Sequence, residues 1–380
     1  MHITSKLSSA QTTIFTEMSA LAIQHGALNL GQGFPDYDPP STLLDLVVKY
    51  TRDHKHQYAP MAGVLALREK IAQKAGRAYG QYINPQTEIT ITAGATQAIF
   101  TAITALIHAG DEVIIFEPAY DCYRPTIELA GGKTVVYTME APDFKINWSL
   151  VSAMVTPKTR MIIINTPHNP TGTTLKANDL QHLSQLVKDT DIIILSDEVY
   201  EHLVYDGVPH ESVMKYPELF QRSISVFSFG KTYHCTGWKV GYCIAPEYLM
   251  NEIRKVHQWN VFSVNSFVQH ALAEFMEDEQ QYLAIPQFYQ QKRDFFLDIL
   301  KSTRFKAIKS ASTFFQLCDY SDISDIDDVS FAKELTTKHG VACIPVSVFY
   351  TDKRQDKLIR FCFAKTESLL SNAGLLLSKI

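Results

Sequence analysis

Between residues 88 and 245 the chain reads as strand, turn, helix, repeated, and that alternation leaves few folds open. Strand-like apolar runs occur at 89–92, 113–116, 134–137, 161–165, 192–196, 224–227 and 240–244, with helical patterns such as 94–110, 121–130 and 176–188 between them. Ile162 to Ile164 and Ile192 to Leu195 are apolar at every position, as expected of strands covered on both faces. Strands that alternate with helices pair in parallel, because each helix supplies the crossover. The expectation is an α/β domain over 36–275, built on a mostly parallel seven-stranded sheet between helices. Upstream, Ile14, Met18, Leu21 and Ala22 lie at helical spacing and predict a helix over 12–25; further helices are expected at 41–53 and 63–79. Downstream come a helical stretch over 265–302, strands at 314–318, 341–344 and 358–363, and a final helix over 366–379. These predict a smaller α+β domain over 276–380, with residues 1–35 packing against it.

A net charge of −5 and the lack of any Lys/Arg-rich run argue against nucleic acid or an anionic membrane as partner, leaving a small molecule. No apolar run nears the roughly 20 residues that span a bilayer, and the first ten residues lack a signal-peptide core, which predicts a cytoplasmic protein. The six cysteines form no Cys-x-x-Cys pair and read as reduced thiols, mostly core. His54 and His56 flank Lys55 in a polar segment that suits a solvated loop, and no metal is expected.

In open α/β sheets ligands bind beyond the carboxyl ends of the strands. Gly94, residues 165–169, residues 197–200 and residues 228–231 all fall there and are expected to meet in one crevice. Ala93-Gly94-Ala95-Thr96 opens a helix whose free N–H groups suit a phosphate, though it serves equally as an ordinary helix start. Asp197 follows a buried run, where an ionised carboxylate needs a cationic partner or acts as a helix N-cap. Tyr200 can donate its phenol to a ligand or to backbone. Lys231 follows the apolar run 223–227; its unperturbed pKa of about 10.4 means that nucleophilic work near neutrality needs burial or a nearby cation such as Lys239.

Three segments carry more information together than apart: Asn165-Thr-Pro-His-Asn-Pro-Thr-Gly172, Ser196-Asp-Glu-Val-Tyr200 and the stretch from Ser228 to Tyr242. In that order, on successive strand ends, they resemble the class I/II aminotransferases of fold type I, enzymes dependent on pyridoxal 5′-phosphate. The likeness covers nearly the whole chain. Residues 30–36, 57–60 and 358–365 make it strongest to bacterial methionine aminotransferases and the kynurenine/glutamine transaminases. The resemblance implies Lys231 as the Schiff-base lysine and proton shuttle, Asp197 against the pyridine nitrogen, and Asn169 and Tyr200 on the ring oxygen. Gly94, Ala95, Thr96, Ser228 and Lys239 would hold the phosphate, with Tyr120 stacked on the ring. Many relatives carry arginine where this chain has Lys239. Arg360 would clamp the substrate carboxylate, aided by Asn169 and the backbone at Gly33. A homodimer is also implied, with Tyr58 reaching the neighbouring subunit's phosphate.

The resemblance further implies transfer of an amino group from an amino acid to a 2-oxo acid by a ping-pong route. A cysteine-conjugate β-lyase would use the same lysine and is the alternative; a cofactor-sensing transcription regulator would need a DNA-binding module and basic helix that the sequence does not offer. Dicarboxylate-specific relatives need a second cation, and none stands at the motif positions. Phe15, Phe34, Tyr37 and Phe262 supply apolar walls instead, which predicts a large uncharged side chain: methionine, with aromatic amino acids, leucine, glutamine or kynurenine as competitors.

Overall fold

The computed structural model describes residues 3–7 and 13–380. Helix α1 spans Ile14–His25, capped by the Thr13 hydroxyl and ended by Gly26 in the left-handed region at φ 60°. Residue 12, where the sequence places its start, lies outside the described residues. Helices α2 (Ser41–Arg52) and α3 (Leu65–Tyr79) follow.

Seven strands then form one sheet: β1 Ile89–Thr92, β2 Glu112–Glu117, β3 Lys133–Thr138, β4 Thr159–Asn165, β5 Ile193–Asp197, β6 Ser223–Ser228 and β7 Gly241–Ile244. Their order is β1-β7-β6-β5-β4-β2-β3. The pairs among β2 to β6 are parallel, whereas β7 runs against both neighbours, β6 and β1. The sheet is therefore mixed but mostly parallel, as expected. Burial explains the apolar runs: Ile162, Ile164 and Ile194 join one core cluster, while Met161, Ile163, Ile193 and Leu195 join the other on the opposite face. Only β3, at the sheet edge, is largely part-exposed.

The reversed direction of β7 matters for function. Because β7 opposes both β1 and β6, those two point the same way, and the start of β7 lies beside their ends. Gly241 pairs with Thr92 and with Ser228. Lys239 is thereby delivered to the edge where the other strands terminate.

A second, four-stranded sheet comes from β8 Lys306–Ile308, β9 Phe315–Asp319, β10 Ile344–Pro345 and β11 Leu358–Cys362, antiparallel in the order β10-β11-β9-β8. Its core cluster includes Met18 and Leu30 beside Tyr289, Phe296, Leu335 and Phe361. Several features differ from the sequence reading, among them the helices Trp148–Met154 and Asp328–His339 and the strand β8, none of which was expected. The strand expected over 341–344 is two: Val341–Ala342 pairs in parallel with Leu28–Asn29, and Ile344–Pro345 crosses to β11. The helical stretch over 265–302 is three helices, Ser266–Phe275, Gln280–Leu283 and Ile285–Leu300, the last opened by Pro286 in its first turn. A further helix, Glu247–Asn260, with Leu249, Met250, Ile253 and His257 on its buried side, was not anticipated.

Candidate active site

The carboxyl ends of β1, β2, β4, β5 and β6 open onto a cavity of about 420 Å³, lined among others by Gly94, Ala95, Thr96, Tyr120, Asn165, Asn169, Asp197, Tyr200, Ser228, Lys231 and Lys239. Gly33, Phe34, Phe15, Phe315 and Arg360 close it from the side of the four-stranded sheet. The strand-end residues singled out in the sequence do share one crevice.

Lys231 sits in a one-turn helix, Phe229–Thr232, directly after β6, where the backbone leaves the sheet. Its Nζ donates to the carbonyl of Gly33 at 2.9 Å. Burial brings its pKa down to about 8, and the charges of Arg360 and Lys239 push the same way against the Cys362 thiol and Asp197. A usable fraction of neutral amine exists near neutrality. Of the two causes expected from the sequence, burial and a nearby cation, burial is the larger, and Lys239 adds to it.

Asp197 ends β5 and is almost wholly buried. Burial raises its carboxyl pKa to about 6, held from going further by the Tyr123 phenol, which donates to Oδ2 at 2.6 Å, and by the Val199 N–H at 3.4 Å from Oδ1. Asp197 is thus mostly ionised at neutral pH, and no cation among the described residues forms an ion pair with it, which suits a protonated ring nitrogen. Tyr123 escaped the sequence reading; its helical position gives no sign that its hydroxyl crosses to β5. Tyr200 and Tyr120 are both driven up by burial and stay neutral hydroxyl groups.

At the other end, helix α4 (Ala95–Leu106) has no side-chain cap, leaving the N–H groups of its first turn free to meet an anion. Gly94 has φ 80°, and a Cβ there would lie 3.3 Å from Lys239 Nζ, so only glycine leaves that hollow open. Thr96 Oγ1 lies 3.2 Å from Tyr120 Oη. One uncapped helix, one ammonium, and the Ser228 and Thr96 hydroxyl groups form a donor set that fits a phosphate dianion.

Arg360, on β11, is buried, and burial lowers its pKa to about 10, which leaves it cationic. Nη1 donates to Asn169 Oδ1 at 2.7 Å and Nη2 to the Gly31 carbonyl at 3.3 Å, while Nε is buried without a partner among the described residues. The guanidinium lies 3.9 Å from the centre of the Phe315 ring, a second residue the sequence argument did not name. Arg360 lines the cavity as a buried cation without a carboxylate among its hydrogen-bond partners in the described residues, and such a guanidinium fits a substrate carboxylate. Asn165 orders the loop between: its Oδ1 accepts from Asn169 N–H and its Nδ2 donates to the Asp197 carbonyl, both at 2.8 Å.

Three residues named from the sequence lie outside this cavity: Phe262 and Tyr37, expected as its walls, and Tyr58, expected to serve the neighbouring subunit. Tyr58 (81% exposed) and Phe262 (38% exposed) touch edge to face on the surface, ring centres 5.3 Å apart, outside the cavity of their own chain. Tyr37 is also outside the lining, packed against His234 and Phe288.

A mostly parallel sheet with a lysine, a carboxylate and an anion cradle at its strand ends, faced by a carboxylate-ready arginine, defines a transferase-type α/β site. Residues 26–373 match the family described as aminotransferase class I and II, and the chain belongs to that family. It is 50% identical over 371 residues to the methionine aminotransferase of Escherichia coli (strain K12), covering 97% of this chain and 96% of that one. Identity to kynurenine–oxoglutarate transaminase 1 of Rattus norvegicus is 34%, over 96% of this chain and 95% of that protein. Among solved structures, one from Escherichia coli reported with a methionine aminotransferase function superimposes with a TM-score of 0.98 at 48% identity, each chain covered fully. The aspartate aminotransferase of Thermus thermophilus with maleate gives 0.91 at 28% identity, again over the full length of both. The chain is an aminotransferase with small-molecule substrates. No helix among the described residues is long and apolar enough to cross a membrane.

Proposed function

We propose that this aminotransferase depends on pyridoxal 5′-phosphate and takes the amino group of a large uncharged L-amino acid, methionine foremost, for transfer to a 2-oxo acid. The observation that carries this reading is the charge pattern of the cavity. Among the described residues, its charged lining residues are Asp197, Lys231, Lys239 and Arg360. Asp197 suits the pyridinium, Lys239 the phosphate and Lys231 the aldehyde, so Arg360 alone remains for a substrate carboxylate. The rest of the substrate end is Phe15, Phe34 and Phe315, with Gly33 and an uncharged Gln32 whose amide nitrogen is tied to the Phe15 carbonyl and Ser19 Oγ. A second carboxylate there would lose its hydration without a partner, at a cost of several kcal/mol. Methionine, by contrast, gains about 0.8 kcal/mol for each CH₂ buried, and its thioether packs well against rings. The Escherichia coli relative named for methionine agrees with this preference.

The bound cofactor supplies an aldehyde that captures the amino group and a pyridinium ring that takes up electron density. The chain's residues do the rest. Arg360 and Asn169 orient the carboxylate, which fixes the substrate Cα–H near Lys231. The neutral Nζ of Lys231 would accept that proton and, as the conjugate acid, give it up again. Asp197 would keep the ring nitrogen protonated, Tyr200 and Asn169 would hold the ring oxygen, and Tyr120 would pack on the ring. The loop at Gly31 to Phe34 and the β11 strand shut out water.

Residues 1–35 and 276–380 are assigned to a small domain and 36–275 to the cofactor domain. The protein is further assigned to the cytoplasm, which its six unpaired cysteines support. A homodimer completes the site: the exposed Tyr58, Phe262 and Trp259 are large aromatic side chains at one surface region, of the kind that subunit contacts cover. Sedimentation at assay concentration tests this, and an active monomer would refute it. Specificity is tested by half-reactions of cofactor-loaded protein with methionine, phenylalanine and aspartate, followed by cofactor absorbance. Methionine and phenylalanine should exceed aspartate in efficiency; aspartate equal to methionine would show a cation in the pocket and end the proposal.

A further inference from the structure

The sequence segment 358–365 ends in a lysine that the reaction does not use. Lys365 is only 3% exposed, yet its partners are neutral. Its Nζ donates to the Phe34 carbonyl at 2.7 Å and lies 5.1 Å from the centre of the Phe34 ring. An ammonium removed from water gains little from one carbonyl and one ring, so stability alone does not account for it. An apolar side chain of similar length would fill the same space at no electrostatic cost.

The neighbouring contacts show what the lysine serves. Thr366 N–H and Oγ1 hold the Asp36 carboxylate at 2.7 and 3.2 Å. Lys292 Nζ donates to the Lys365 carbonyl at 2.9 Å and sits 4.8 Å from the Tyr37 ring centre. The other end of the loop is tied separately: Asn29 Oδ1 accepts from the N–H groups of Gly31 and Gln32, and Gln32 Nε2 donates to the Phe15 carbonyl and to Ser19 Oγ. Between these two anchors lies Phe34, which lines the cavity and remains 44% exposed. A half-exposed aromatic ring, open on its solvent side among the described residues, depends on its backbone for position. Lys365 grips that backbone and caps the ring face.

We propose that Lys365 is a specificity-setting positioning residue, holding the carbonyl and ring of Phe34 so that the ring forms the wall against which a long substrate side chain packs. The inference rests on the reading that Phe34 bounds the side-chain end of the cavity. Lys365 touches neither Arg360 nor Lys231, so its effect should scale with side-chain length rather than fall on chemistry.

The test compares methionine with alanine in the half-reaction of cofactor-loaded protein, using K365M, K365R and F34A. Alanine binds the same carboxylate clamp but reaches no wall. In K365M the methionine-to-alanine ratio of efficiencies should fall roughly fourfold to fifteenfold, the factor carried by one to two buried CH₂ groups, with the loss in KM rather than kcat. K365R, which keeps a cationic donor, should recover part of it. Amide hydrogen exchange over residues 31–37 gives a readout independent of turnover and should quicken in K365M. An equal loss for both substrates, or a normal ratio in K365M while F34A lowers it, overturns the role of Lys365 and leaves the pocket reading intact. A normal ratio in F34A overturns the pocket reading itself, and this inference with it.

Discussion

Replacing Tyr123 with phenylalanine isolates what tunes Asp197. The ring keeps its place, edge to face with Tyr120 at 5.7 Å between centres, and only the hydroxyl is lost. That hydroxyl makes the shorter of the two hydrogen bonds to the Asp197 carboxylate, at 2.6 Å. A buried hydrogen bond to a charged acceptor contributes roughly 1.5–3 kcal/mol, equal to a shift of about one to two pKa units. The carboxyl stands at about 6 with the phenol present, so without it the value should move to roughly 7–8. At pH 7 the ionised fraction would drop from about nine-tenths to between one-half and one-tenth. The sign is fixed by the geometry: a donor to the anion lowers the pKa, and its loss raises it. The assay uses cofactor-free protein and 4′-deoxypyridoxine 5′-phosphate, which lacks the aldehyde and cannot bond to Lys231. Affinity for this probe requires a charged Asp197, so the acid limb of its pH profile should lie one to two units higher in Y123F than in the unaltered protein. Ionisation of the probe's own phosphate is common to both and cancels. Superimposable profiles would refute the assignment of Tyr123 as the group that keeps Asp197 charged.

Beneath the site, Lys74 pairs with Glu201, which also accepts from Tyr79 Oη at 2.6 Å and Tyr242 Oη at 3.2 Å. Burial alone would raise the Glu201 carboxyl, but Lys74 and the hydrogen bonds outweigh it and hold the pKa at about 2. K74M should therefore cost about 3 kcal/mol by stranding a buried charge, with K74M/E201Q recovering most of it; a thermal midpoint unchanged in K74M would contradict this. A depressed carboxyl contributes stability in full above its unfolded pKa of about 4.3 and loses it as pH falls towards the folded value, so the unaltered protein should weaken below about pH 4. In K74M burial is no longer opposed, Glu201 takes up its proton at higher pH, and the gap should narrow from there downward. For Lys231, neutral amine grows about tenfold per pH unit up to its pKa. The rate of covalent capture of pyridoxal phosphate by cofactor-free protein should rise likewise to about pH 8 and level off; a flat profile from pH 6 to 8 would mean that the amine is not buried as described.

Much of this site was legible because its residues directly follow apolar runs: Asn165, Asp197 and Ser228 each end a strand whose pattern marks it, and strand ends of a parallel sheet converge. Lys239 was legible as a cation but not as a neighbour of Gly94, since that depends on β7 running against β1 and β6. Tyr123 and Phe315 reach the site across the sheet or between sheets, contacts to which local pattern is blind. The run 341–344 looks like one strand because every residue is apolar, yet two different neighbours claim its halves and Pro345 ends the pairing. Phe262 carries the composition of a pocket wall; its position on the surface beside Tyr58 follows from the turn after the helix Glu247–Asn260, at φ 65°.

The central claim is that Lys231, and no other lysine, forms the bond to the cofactor. Borohydride reduction of protein incubated with pyridoxal 5′-phosphate, followed by peptide mass analysis, tests it most directly. The account predicts a single modified site, at Lys231, with K231A unmodified and inactive towards methionine while still binding the cofactor through its phosphate and Asp197. Stoichiometric labelling at another lysine, or near-normal turnover in K231A, would contradict it.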